Sequence, residues 1–145
     1  MNMKKISDII HSDLPWNREN PASHDTIENL VVKSGLQLPK DYLDFLRLSN
    51  GGEGELPVDP FWFQIWPVDE VLEHNEGYRV KQHLPGFFVF GSNGGGEMLA
   101  FNIREHGSWP VYMIPFIPMD ESDAKKVAPD FLSFAEMLGI EDKEG

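Results

Sequence analysis

Residues 38–56 read LPKDYLDFLRLSNGGEGEL, and the way this stretch starts, runs and stops decides the fold. Pro39 suits the first position of a helix, where a backbone N–H would have no partner in any case. Tyr42, Leu43, Phe45, Leu46 and Leu48 then cover most of the circumference. Lys40, Asp44 and Arg47 are left as a narrow polar seam at helical spacing, with opposite charges adjacent. A helix this apolar is mostly buried. Asn50-Gly51-Gly52 ends it, and beyond Gly52 the apolar period shifts from helical toward two.

Upstream, a helix is expected over Asp25–Ser34. Asp25 with Glu28 makes a start like a capping box, Ile27, Leu30 and Val31 share a stripe, and Gly35 sits where a left-handed terminator belongs. Residues 1–22 form a lead-in with a short helix through Ile6, Ile9 and Ile10. It ends in the turn-rich WNRENPAS, from which Trp16 packs back on the body.

Downstream, FWFQIW at 61–66 alternates but carries large apolar groups on both faces, and Asp69 to Glu76 is a short helical segment. FFVFG (87–91), EMLAFN (97–102) and PVYMI (110–114) read as strands. Pro115 and Pro118 stop the third of these or put it at an edge. A last helix starts at Pro129, aligns Phe131, Phe134, Ala135 and Leu138, and ends at Gly139. The fold class is therefore α+β: a mainly antiparallel sheet, with two N-terminal helices and a C-terminal helix packed against it. Residues 23–145 form a single domain behind the lead-in.

The chain of 145 residues has 24 Asp/Glu against 12 Lys/Arg, a net charge of −12. Nucleic acid and anionic membrane both need a basic footprint, so neither is expected as a partner. With no cysteine, disulfides and thiolate zinc sites are excluded. The N-terminus lacks a signal-peptide pattern and no apolar run spans a bilayer, which gives the expectation of a cytoplasmic protein.

Four chemistries suggest themselves from the residues. GSNGGGEM at 91–98 has the glycines of a phosphate loop, but a strand-like EMLAFN follows instead of a helix. No Lys or Arg lies between Lys81 and Arg104, and Glu97 would repel an anion. A hairpin turn is expected there. The related SNGG at 49–52 ends a helix, so the shared letters reflect shared turn chemistry. Ser92 lacks the flanking glycine pair of a nucleophile elbow, and carboxylates are too abundant to single any out for acid–base work. Glu70, Glu73 and His74 offer metal ligands on one short helix, without the spacing of an established motif. No cofactor is expected.

Charge patterning is the signal that remains. No Lys or Arg occurs between Arg47 and Arg79, an interval holding Glu53, Glu55, Asp59, Asp69, Glu70, Glu73 and Glu76 together with Trp62 and Trp66. Folding alone does not need such self-repulsion. A solvated acidic face is the plain explanation. The functional one is a recognition face for a basic protein, with aromatic anchors inside a charged rim.

The 38–56 stretch also resembles the SUKH superfamily, whose domains carry a helix, then Leu-Pro, then a Tyr/Phe-bearing helix ending in Asn-Gly. Leu38, Pro39, Tyr42, Phe45, Leu46, Asn50 and Gly51 match that pattern, and the FGSNGGGE turn, the 110–112 strand and the 131–138 helix follow in the same order. The resemblance implies an α+β fold and a non-catalytic protein-binding domain. Many bacterial members are immunity proteins that neutralise polymorphic toxins, often nucleases, and fungal relatives regulate cell-wall synthesis. An immunity protein binding a basic toxin domain is thus the leading expectation, an intracellular regulatory or scaffold module the alternative. A metal-dependent enzyme using Glu70, Glu73 and His74 is third.

Overall fold

The computed structural model describes residues 5–10, 16–105 and 109–141. Seven strands form one sheet in chain order: β1 (Asn17–Arg18), β2 (Gly52–Glu55), β3 (Trp62–Ile65), β4 (Phe87–Ser92), β5 (Glu97–Asn102), β6 (Val111–Pro115) and β7 (Lys125–Ala128). Every neighbouring pair is antiparallel. The helices among the described residues are α1 (Ile6–Ile9), α2 (His24–Ser34), α3 (Lys40–Leu48), α4 (Val68–Gly77), α5 (Val80–His83) and α6 (Phe131–Glu136). The class is mixed α+β with an antiparallel meander.

Helix α3 shows why its sequence dominates. Tyr42, Phe45 and Leu46 are wholly buried, while Asp44 of the polar seam meets Lys40 at 2.7 Å and Arg47 at 2.8 Å. The Tyr42 ring lies between sheet and α6, with ring centres 5.7 Å from Phe90, 5.3 Å from Phe101 and 5.4 Å from Phe131. Phe90 stacks on Phe101 at 4.5 Å. These offset and edge-on contacts add to the area that the rings bury. Among the described residues the Tyr42 hydroxyl finds no hydrogen-bond partner, and burial pushes its pKa far above the usual range for a phenol.

The start of α2 differs from expectation by its cap. Ser23, not Asp25, is the N-cap and its Oγ accepts from the Thr26 N–H at 3.2 Å. A hydroxyl one residue outside the helix reaches that free N–H, whereas Asp25 already lies in the first turn. Gly35 terminates α2 with φ +67°.

The lead-in contributes to the same core. Ile6, Ile10 and Trp16 are buried, and the indole stacks on Phe45 at 5.8 Å and meets Phe63 edge-on at 5.5 Å. Its seat is a bare patch of β2, since a Cβ on Gly52 or Gly54 would stand 2.4 or 2.5 Å from Trp16. The alternating glycines after α3 make room for the ring.

The two SNGG copies serve different ends. Asn50 accepts the Val68 N–H on its Oδ1 at 2.8 Å, joining the end of α3 to the start of α4. Ser49 Oγ donates to the Gly51 carbonyl at 2.6 Å and accepts from the Glu19 N–H at 2.9 Å. At 92–97 the letters form the β4–β5 turn. Asn93 Oδ1 accepts from the N–H groups of Gly95 and Glu97, both at 3.0 Å, and Gly94 takes φ +75°.

Strand β6 runs to Pro115 and is internal to the sheet, because β7 pairs beside it. The prolines therefore end the strand but do not place it at an edge. On the other side of β5, β4 leaves part of its own edge unpaired by β3, and α4 covers it. Asn75 Oδ1 accepts from the Val89 N–H at 3.0 Å while its Nδ2 donates to the Val89 carbonyl at 2.8 Å. One side-chain amide thus stands in for a strand.

Candidate functional site

The carboxylates singled out by the sequence fall into three groups. Glu53, Glu55 and Asp59 belong to β2 and the connection to β3, beside Trp62. Asp69, Glu73 and Glu76 occupy one side of α4 and line a groove of about 590 Å³ against α2, with Thr26, Asn29 and Lys33 opposite. Glu70 lies outside that groove, its Oε1 3.6 Å from His74 Nε2. Helical spacing explains the split: positions 69, 73 and 76 share a face and position 70 is turned about 100° from 69.

The first group is the most structured. Glu53, Gln64 and Ser92 are cross-strand neighbours on β2, β3 and β4. Gln64 Nε2 donates to Glu53 Oε2 at 2.9 Å, and Ser92 Oγ donates to Gln64 Oε1 at 3.4 Å. This polar ladder orients the carboxylate on the sheet surface. Trp62 flanks it, close to where Gly94 would carry a Cβ, so the β4–β5 turn borders the indole. The glycine-rich turn at 93–96 thus lies against an acidic and aromatic surface.

Two further residues join this surface. Phe61 is 49% exposed and Val58 38%, comparable with Trp62 at 37%. Phe61 also has φ +66°, a left-handed conformation that costs a non-glycine residue of its kind on the order of 1 kcal/mol or more. Sequence reading missed both. The signal was present in LPVDPF, where two prolines and an aspartate mark a turn that would present Val58 and Phe61 outward.

Trp66 has a different place. It is buried, its ring 4.2 Å from the His74 ring, and the row continues from His74 to Tyr78 at 5.8 Å and from Tyr78 to Phe116 at 4.8 Å. Glu70, Glu73 and His74 do not converge, since Glu73 lines the α2 groove and Glu70 meets His74 outside it. Among the described residues no three His, Asp or Glu side chains gather as metal ligands would.

The motif residues of the 38–56 stretch act as fold-makers. Leu38, Tyr42, Phe45 and Leu46 are buried in the core, Pro39 is the N-cap of α3, one position before the first helical place expected for it, and Asn50 bonds to the start of α4. Gly51, at φ +97°, approaches the Ile65 carbonyl so closely that a Cβ would stand 2.5 Å from it. The sequence profile of the SMI1/KNR4 family (SUKH-1) matches residues 21–137.

The chain belongs to the SMI1/KNR4 family.

Comparison with curated proteins returns no match. The SUKH-1 match runs from just before α2 through α6 and so takes in most of the core, the acidic hairpin and the α2–α4 groove; α1 and β1 precede it. SUKH-1 domains are generally non-catalytic immunity or regulatory modules. No helix among the described residues is long and apolar enough to cross a membrane.

Proposed function

We propose that this SUKH-1 domain is a cytoplasmic immunity protein that neutralises a polymorphic toxin by direct binding, and that its partner is a basic toxin domain. The observation that carries this reading is the β2–β3 hairpin, where Val58, Phe61 and Trp62 are exposed among Glu53, Glu55 and Asp59. Exposed aromatic side chains are effective anchors because they bury much area with few rotors to fix. Carboxylates around them steer a basic partner and speed association. A working interface buries about 1,600 Å² in total, more than the hairpin alone offers, so the α2–α4 groove with Asp69, Glu73 and Glu76 extends it. Against a nuclease, such a face competes with the substrate for the same basic groove.

Co-expression with the product of the neighbouring gene tests the proposal. Wild-type chain should protect the cell, and the Glu53→Lys/Glu55→Lys/Asp59→Lys variant should lose protection, with at least about tenfold weaker binding. Reversal of Glu70, Glu73 and Glu76 to Lys separates the hairpin from α4. A captured cell-wall or signalling enzyme in place of a toxin would support the regulatory alternative. Unchanged affinity and salt dependence in both variants would remove the acidic surface from the mechanism.

A further inference from the structure

A second surface has the opposite chemistry. A groove of about 780 Å³ opens between the end of α2, the α4–α5 junction and the start of β4, within the size range of ligand-binding clefts. Phe87 and Phe88, nearly buried, form its floor with the half-buried Leu36, Leu72 and Ile103. Lys33, Arg79 and Lys81 stand around it, all exposed. Among the described residues no carboxylate lies within ion-pair distance of these three side chains, whereas nearby Arg104 is held by Glu121 at 2.9 Å. Glu76 is the one carboxylate among the described lining residues.

In a chain of net charge −12, three cations with no carboxylate in ion-pair reach among the described residues gather around an apolar floor. Arg79 adds a backbone observation. It has φ +54° at the junction of α4 and α5, a strained position for a side chain of this kind and one that structures hold where neighbouring contacts over-determine it.

We propose that this groove binds an acidic peptide segment carrying large apolar side chains. The apolar floor asks for side chains that a free inorganic anion lacks. Three separated cations ask for several carboxylates, where an acyl chain would bring one. Gln82, exposed among the lining residues, adds an amide suited to a peptide backbone. This groove adjoins the α2–α4 groove and shares Lys33, Leu72 and Glu76 with it; the inference does not rest on the toxin reading, because the occupant it calls for is acidic where the toxin domain would be basic.

The test uses the full chain and a fluorescent dodecapeptide in which Glu alternates with Leu and Phe, followed by anisotropy. Expected is saturable binding that weakens as salt rises. Lys33→Glu/Lys81→Glu should weaken it by about tenfold without moving the thermal midpoint, since both side chains are exposed. A companion peptide with Ser for every Leu and Phe should bind at least about tenfold more weakly, reporting on the floor without altering the protein. Absence of saturation, affinity unchanged in the double variant, or equal binding of the Ser peptide would each overturn the proposal. So would displacement by oleate carrying the same sensitivity to the double variant, which would assign the groove to an acyl chain.

Discussion

Strands β4 and β5 are buried along almost their whole length, whereas β2 and β3 expose Glu55 and Trp62 and carry Val58, Asp59 and Phe61 between them. Both hairpins belong to one sheet, and they are joined at Gln64 with Ser92 and Ile65 with Gly91, with the Trp66 N–H donating to the Phe90 carbonyl just beyond at 3.1 Å. The inner hairpin is held by aromatic packing from α3 and α6, by the Asn93 turn and by Asn75 on its free edge. The outer one is held by two glycines under Trp16 and by the Glu53–Gln64 bond. One is a platform and the other is presented by it. Changes in the first should therefore register as lost stability, and changes at the tip of the second as lost binding.

The largest effect is expected from Phe101→Ala, which removes a fully buried ring from contact with Tyr42, Phe90 and Phe131. Urea unfolding should show a loss of about 3–5 kcal/mol; a loss below about 1 kcal/mol would mean that the cluster is not the centre of the fold. Gly91→Ala attacks the joint between the hairpins. A Cβ there would stand 2.3 Å from the Gln64 carbonyl oxygen, so β3 must move off β4. A loss of about 2–4 kcal/mol is expected, with faster amide exchange at Ile65 than at Ala100 as the local signature.

The smallest effect sharpens the comparison from within the platform. Tyr42→Phe deletes a buried hydroxyl without a partner. Because its desolvation is uncompensated in the fold, the variant should be as stable as wild type or more so, by up to about 1 kcal/mol. A clear loss in urea unfolding would reveal a partner for that hydroxyl, such as an ordered water.

Much of the platform was legible in the sequence because its signals are local and periodic. The Pro39 start, the apolar circumference of α3, the glycine-rich turn at 93–96 and the apolar runs of β4 and β5 each carry their own physical reason. Strands β1 and β7 were not legible, since Asn17–Arg18 and Lys125–Ala128 are too short and too polar to show a period of two. Their strand state comes from the neighbour they pair with. The seat of Trp16 on Gly52 and Gly54 joins residues about 36 positions apart in the chain, a contact no window reveals.

At the site the charge was legible and its grouping was not. The run free of Lys and Arg is a one-dimensional fact. The division of its carboxylates among hairpin, groove and the His74 pair follows from helix phase and strand pairing. Trp62 and Trp66 look alike in FWFQIW, yet the end of β3 turns one outward and buries the other against His74.

The division of labour between the hairpins is tested most directly by isothermal titration of the Phe61→Ala/Trp62→Ala variant against the basic toxin domain proposed as its partner, with urea unfolding of the same samples. Expected is stability within about 0.5 kcal/mol of wild type and affinity reduced by at least about thirtyfold, as for the loss of two interface anchors. Unchanged affinity, or a loss of affinity that merely follows a loss of stability, would contradict the assignment of the hairpin tip to partner binding.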